Sequence, residues 1–162
     1  MSAKEIIELM GLIRHPEGGW FREFYKSGEV FDAGHLPERF HGPRNFSTSI
    51  YFLLTKGEKS KFHRLRQDEI WHFYAGSAAE LYNISYSGNI RKQILGIGLK
   101  DNEQPQALVP AGSWMAAASL GGYTLLGCTV APGFEFDDLD LAERDKLIGE
   151  YPHLKKIITD FT

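Results

Sequence analysis

The sequence predicts an all-β fold, a barrel or sandwich, with one short helix at the N-terminus and two at the C-terminus. Three observations carry this reading. From Phe46 to about Phe136, eight strand-like runs follow one another, separated by Gly, Pro, Asn and Ser turns roughly every ten residues. Helical periodicity is confined to the two ends of the chain. No repeat of about 20–50 residues and no low-complexity segment is present, which argues against a propeller or solenoid.

The elements follow in order. "SAKEIIELMG" reads as a helix: Ser2 and Glu5 have capping-box spacing, Ile6, Leu9 and Met10 share a face, and Gly11 closes the end. Pro16, Gly18 and Gly19 make a turn, and "WFREFY" after it has the aromatic content of a strand. Residues 32–45, "DAGHLPERFHGPRN", lack periodicity and read as a surface loop long enough to serve function. The strand runs are "FSTSIYFLL", "KFHRL", "EIWHFYAG", "AELYNIS", "IRKQILGIG", "QALVPAG", "WMAAASL" and "YTLLGCTVA". Beyond "PGFEFDD", apolar residues at Leu141, Leu147, Ile148, Leu154, Ile157 and Ile158 indicate two short helices, with Pro152 at the first turn of the second. The Asp137, Asp138 and Asp140 cluster is read as a helix cap rather than a calcium site.

Composition narrows the function classes. A chain of 162 residues with 43% hydrophobic and 24% charged residues is globular and is expected to form one domain over residues 1–162. The formal net charge is −3 and basic residues never run longer than the pair Lys155–Lys156, so no nucleic-acid polymer is expected as a partner. No apolar run is long enough for a membrane-spanning helix, the N-terminus does not read as a secretion signal, and the single Cys128 suits a reducing compartment. A cytoplasmic location is the expectation.

The stretch "GEKSKFHRLRQDEIWHFYAG", residues 57–76, carries the candidate chemistry. In a strand, Glu69, Trp71 and Phe73 share one face, and Ile70, His72 and Tyr74 the other. If "KFHRL" and "EIWHFY" form a hairpin, His63 falls opposite Glu69, with Cβ atoms about 4.5–5.5 Å apart. Such a pair, walled by Trp71 and Phe73, has the dry surroundings and convergent polar groups of a small-molecule pocket.

The same stretch resembles the first cupin signature. Gly57, His63, Glu69 and Gly76 keep its spacing, while Leu65 stands where that signature has a second His. "PAGSWMAAAS" is similar to the second signature through Pro110 and Gly112, with Met115 in place of its His and Ser119 in place of its Asn. More narrowly, "HPEGGWFRE", "STSIYFLL" and "FHRLRQDEIWHFYAG" resemble the cupin-5 branch, catalogued as a domain of unknown function. The resemblance implies a double-stranded β-helix, or jelly-roll barrel, with a pocket inside and frequent pairing into homodimers. Its superfamily relatives include sugar-nucleotide epimerases and seed-storage proteins.

In metal-binding cupins the two His, the Glu and the later His hold one ion. Here Leu65 and Met115 remove two imidazoles, so no cofactor and no metal site are expected, beyond weak metal binding through His63 and Glu69. An acid–base reading needs fewer parts: His63 acts as base and Glu69 fixes its tautomer. This suits epimerisation, isomerisation or elimination on a small polar, sugar- or nucleotide-like molecule. A non-catalytic binding or sensor cupin, and a metalloenzyme with a reduced ligand set, stay open as alternatives. The candidate catalytic residues are His63 and Glu69, and the candidate ligand-binding residues are Tyr51, Ser60, Trp71 and Phe73. His15, His35, His41 and His153 are expected to be solvated, and Cys128 to be a buried, inert thiol.

Overall fold

A computed structural model describes residues 1–162. In chain order the elements are α1 (Ala3–Met10), β1 (Ile13–Arg14), β2 (Trp20–Lys26), β3 (Val30–Phe31), β4 (Arg44–Asn45), β5 (Thr48–Thr55), β6 (Lys59–Arg64) and β7 (Asp68–Gly76). There follow β8 (Ala79–Ile84), β9 (Ile90–Leu95), β10 (Glu103–Gln104), β11 (Gln106–Val109), β12 (Trp114–Ser119), β13 (Tyr123–Ala131), β14 (Asp140–Leu141), α2 (Arg144–Glu150) and α3 (Lys155–Asp160). Two six-stranded sheets face each other, in the orders β1-β2-β5-β13-β7-β11 and β10-β9-β8-β12-β6-β14. This is the all-β jelly roll with terminal helices.

Alternation along the strands builds three apolar layers. Phe52, Leu54, Trp71, Leu81, Val109, Met115 and Leu126 interdigitate between the sheets. Leu53, turned outward from β5, is covered by Ile6 of α1 and by Leu12. On the outer face of the second sheet, Phe62, Ile84, Trp114 and Ala116 pack under Leu147, Leu154, Ile158 and Phe161 from the C-terminal segment. The N-terminal helix begins as its sequence dictates. Ser2 Oγ accepts from the Glu5 N–H at 3.3 Å, Glu5 Oε2 accepts from the Ser2 N–H at 2.7 Å, and Gly11 closes the helix at φ 60°.

One irregularity prepares the site. In the β6–β12 ladder, Met115 opposes His63 but Ala117 opposes Ser60, so an extra residue of β6 is accommodated around Lys61 and Phe62. The bulge turns Ser60 and His63 to the same inner face despite their odd spacing, while Phe62 points out beneath the helices. A strictly alternating strand would have put one of the two on the wrong side.

The acidic cluster after β13 is not a helix cap, as the sequence had suggested. Asp138 is buried and takes two bonds from Arg44, Nε to Oδ2 at 2.7 Å and Nη2 to Oδ1 at 2.6 Å. Gln67 Nε2 donates to the same carboxylate at 2.7 Å. The Arg44 and Gln67 bonds hold the Asp138 carboxyl below the usual carboxylate range against the opposing effect of burial. Asp140 instead accepts from Arg64 at 3.0 Å, and the N-cap of α2 is Glu143, whose side chain makes no capping bond. The network pins the 32–45 segment, through Arg44, to the turn before β7.

Candidate functional site

An internal cavity of about 80 Å³ lies between the sheets. Its lining includes His15, Glu17, His63, Glu69 and Cys128, with Phe21, Phe52, Phe134 and Phe136 among its apolar walls. His63 and Glu69 are 1% and 6% exposed, and both line it. They do not form a hairpin pair. β6 is bonded to β12 and β14 in one sheet, whereas β7 lies between β13 and β11 in the other. The two residues therefore converge across the barrel from opposite sheets. Alternation had given each residue's face correctly, but the neighbouring strand cannot be read from it.

The residue at the centre of the polar group is Glu17, which sequence reasoning missed. It is 6% exposed and enters from the "HPEGG" turn before β2. Its Oε2 lies 3.1 Å from His63 Nε2 and 3.3 Å from His15 Nδ1, and its Oε1 accepts from Ser60 Oγ at 2.8 Å. The turn is held against β6 by the Lys61 N–H donating to the Glu17 carbonyl at 2.8 Å. Gly18 makes this approach possible: at φ +109°, any Cβ there would run into the Lys59 carbonyl. The paired glycines were the available signal, since two of them after a polar residue mark a place where backbone must pass closely.

The hydrogen bonds assign the protons. His63 Nδ1 lies 2.7 Å from the Lys61 carbonyl, which only accepts, so Nδ1 carries a proton and Nε2 faces Glu17. The contact is then either a carboxylic acid donating to a neutral imidazole or a carboxylate accepting from an imidazolium. Burial strongly favours the neutral pair. Desolvation pushes the Glu17 carboxyl up to about 8, against the smaller opposing effect of the Ser60 bond. It lowers His63 as well, more than the nearby Glu69 charge and the Lys61 carbonyl raise it. His15 is lowered to about 4, by burial first and then by His63. Glu69 is raised to about 7, chiefly by burial, with His63 opposing; Glu17 adds to the rise and Trp71 opposes it. Trp71 Nε1 donates to Glu69 Oε2 at 2.8 Å, and the Cys128 thiol, pushed well up by burial, sits beside the same carboxyl.

These shifts set a pH dependence of stability. Between the ordinary carboxyl value of 4.5 and the ordinary imidazole value of 6.5, the two carboxyl protons that the fold retains are offset by two imidazole protons that it lacks. Above about 6.5 the unfolded imidazoles are neutral too, and only the retained carboxyl protons differ. Stability is therefore expected to fall as pH rises from about 6.5 to 8, by up to about 1.4 kcal/mol per pH unit for each retained proton. Urea unfolding across that window checks this: a falling midpoint agrees, and a flat or rising one does not.

The remaining expected site residues are placed as follows. Ser60 is fully buried behind the cavity wall, where it bonds Glu17 rather than facing the cavity. Trp71 is core, with only its Nε1 reaching the site through Glu69. Phe73 packs against the core without lining the cavity. Tyr51 is turned to the opposite face from its neighbours Ile50 and Phe52, which do line it, and packs in a tilted arrangement against Phe24 at 5.2 Å. None of Tyr51, Ser60, Trp71 and Phe73 lines the cavity. His15, expected in solvent, is instead enclosed beside Phe21 at 4.6 Å, whereas His35, His41 and His153 are exposed.

The metal set of cupins does not fit these residues. Leu65 lines the cavity with an apolar side chain and Met115 is core, so two of the four ligand positions carry no imidazole. Both His63 nitrogens already have protein partners.

Comparison with known proteins agrees with this architecture. The profile of the Cupin superfamily (DUF985) matches residues 4–142. The chain is 30% identical over 149 residues to the uncharacterized protein YML079W of Saccharomyces cerevisiae, covering 85% of this chain and 73% of that protein. The crystal structure of protein SO0799 from Shewanella oneidensis superposes with a TM-score of 0.91 at 39% identity, over 100% of this chain and 98% of that one. Oxalate decarboxylase from Bacillus subtilis matches with a TM-score of 0.57 at 15% identity, over 92% of this chain and 36% of that one, a likeness of fold alone.

Proposed function

Because the chain belongs to the cupin superfamily, in its DUF985 branch, we propose that its barrel cavity binds a small polar molecule and moves a proton on it without a tightly held metal. The observation that carries this reading is the enclosed group Glu17–His63–Glu69, in which two carboxyls and one imidazole are tuned toward neutrality. Ideal general acids and bases have pKa values near the working pH, and pairs of groups whose environments move them apart divide the acid and base roles.

The roles follow from the hydrogen bonds. Glu69 has one strong donor, Trp71, and titrates at about 7, so its ionised form is the base that takes a proton from carbon next to a carbonyl. The His63–Glu17 pair holds one proton between Glu17 Oε2 and His63 Nε2, carried by the Glu17 carboxyl and available for return to the ligand. His15 Nδ1 accepts from the Glu17 N–H at 3.4 Å, so its neutral ring bears the proton at Nε2, suited to polarise the carbonyl oxygen. At roughly 10–15 Å³ per water-sized occupant, the cavity admits the reacting end of a ligand, a few heavy atoms. Any larger sugar-like portion extends to the mouth, where Glu23 and Phe136 are exposed.

The test is proton exchange. Purified protein in deuterated water is incubated with short hydroxyaldehydes and hydroxyketones, and loss of the carbon-bound proton beside the carbonyl is followed by NMR. Protein-dependent exchange is expected, abolished by His63→Ala and by Glu69→Gln. A ligand that binds in the cavity and returns unexchanged after long incubation would instead make the protein a binding or sensor cupin.

A further inference from the structure

The cavity combines three carboxyls, Glu17, Glu23 and Glu69, with four phenylalanine rings, and no Lys or Arg is among its lining residues. Recognition of a carboxylate or phosphate inside a protein relies on cationic side chains or oriented N–H groups, because an unpaired buried anion costs many kcal/mol. Here an entering anion meets carboxyl oxygens and the uncharged rings of Phe21, Phe52, Phe134 and Phe136, with no cationic side chain to balance it. Lys26, next along β2 from the rim, is occupied by Glu135 at 2.7 Å. A cation meets the opposite situation. Aromatic faces attract it, and Glu69, nine-tenths buried with Trp71 on one oxygen and otherwise only the weakly donating Cys128 thiol beside it, turns unused acceptor capacity to the cavity.

We infer that the cavity selects a small organic cation, of the primary ammonium class, against anions of the same size. The inference rests on the barrel cavity being the ligand site and names the charge of what enters it. It sets this site apart from one built for dicarboxylates or sugar phosphates. It also implies proton-linked binding. The groups facing Glu17 and Glu69 are His15, His63, Ser60, Trp71, Cys128 and each other, and none is a fixed cation. An arriving ammonium is therefore the charge that ionises a carboxyl, and a proton is released to solvent.

Ethanolamine, ethylene glycol and glycolate are nearly isosteric probes of positive, zero and negative charge. NMR titration at pH 7.5 is expected to rank ethanolamine at least tenfold above glycolate. Its affinity is expected to rise by up to about tenfold per pH unit below pH 7 and to level off above it, as displacement of the Glu69 proton requires. Calorimetry in two buffers of different ionisation heat should register that proton. Glu69→Gln is expected to lose the ranking while ethylene glycol binding is kept. Glu23→Gln, at an exposed rim position where folding is not at stake, is expected to weaken ethanolamine about two- to fivefold. Glycolate or inorganic phosphate binding as tightly as ethanolamine, or no binding of ethanolamine, overturns the inference. Ethanolamine carries no acidic carbon-bound proton, so this outcome is separate from proton transfer. Cation binding without exchange on any carbonyl compound retires the catalytic reading alone, and exchange without cation preference retires this one alone.

Discussion

Asp138→Ala is expected to lower the unfolding free energy by about 3–5 kcal/mol, the usual cost of removing one partner of a buried ion pair. The substitution strands the Arg44 guanidinium, itself buried, and leaves Gln67 Nε2 with only the Gly133 carbonyl at 3.1 Å. Much of the loss is the penalty of an uncompensated charge rather than the worth of the bond. Replacing both partners by apolar residues, Arg44→Met with Asp138→Leu, should therefore cost clearly less than Asp138→Ala alone. Urea unfolding at pH 7 checks both. A loss under about 1 kcal/mol for the single variant would mean that Arg44 finds water or another partner, and that the network does not hold the 32–45 segment in place.

Glu17→Gln is expected to slow proton exchange by about 10²–10⁴-fold, the typical contribution of a positioned general acid or base. The amide preserves shape and much of the bonding: its oxygen still accepts from Ser60, and its NH₂ points at His63 Nε2. It cannot pass a proton to the imidazole. The same variant has a readout that packing alone would not move. With one retained carboxyl proton gone, the decline in stability between about pH 6.5 and 8 should shrink to the part due to Glu69, so the variant is expected to be more stable than the native chain near pH 8. Unchanged exchange with an unchanged pH profile would remove Glu17 from the mechanism.

The contrast between Glu69 and Glu17 explains what the sequence could disclose. Period-two patterning around "EIWHFY" put Glu69 on the inner face and Ile70, His72 and Tyr74 on the outer one, as found, because a strand's pleat is a local property. The capping box of α1 was legible for the same reason. Strand partnership is a non-local outcome, so an assumed β6–β7 hairpin gave the right pair of residues facing by the wrong route. The inward turn of Ser60 together with His63 depends on a bulge that no residue type in "KSKFHR" announces. Glu17 and His15 sit outside any periodic segment. Their burial follows from the close crossing of the Gly18–Gly19 turn over β6, which only tertiary packing sets. Tyr51 went the other way: its hydroxyl suggested a contact with a ligand in the barrel, but Ile50 and Phe52 claim the inner face.

The most direct measurement is a pH titration of the isolated protein by NMR, with ¹³C at glutamate carboxyls and ¹⁵N at histidine rings. Two carboxyls should titrate near 8 and near 7, assigned to Glu17 and Glu69 by their loss in the Gln variants, while His63 stays a neutral ring protonated at Nδ1 at pH 7. Both carboxyls titrating in the ordinary range near 4.5, with His63 an imidazolium at neutral pH, would contradict it: the site would then hold fixed charges and no exchangeable proton.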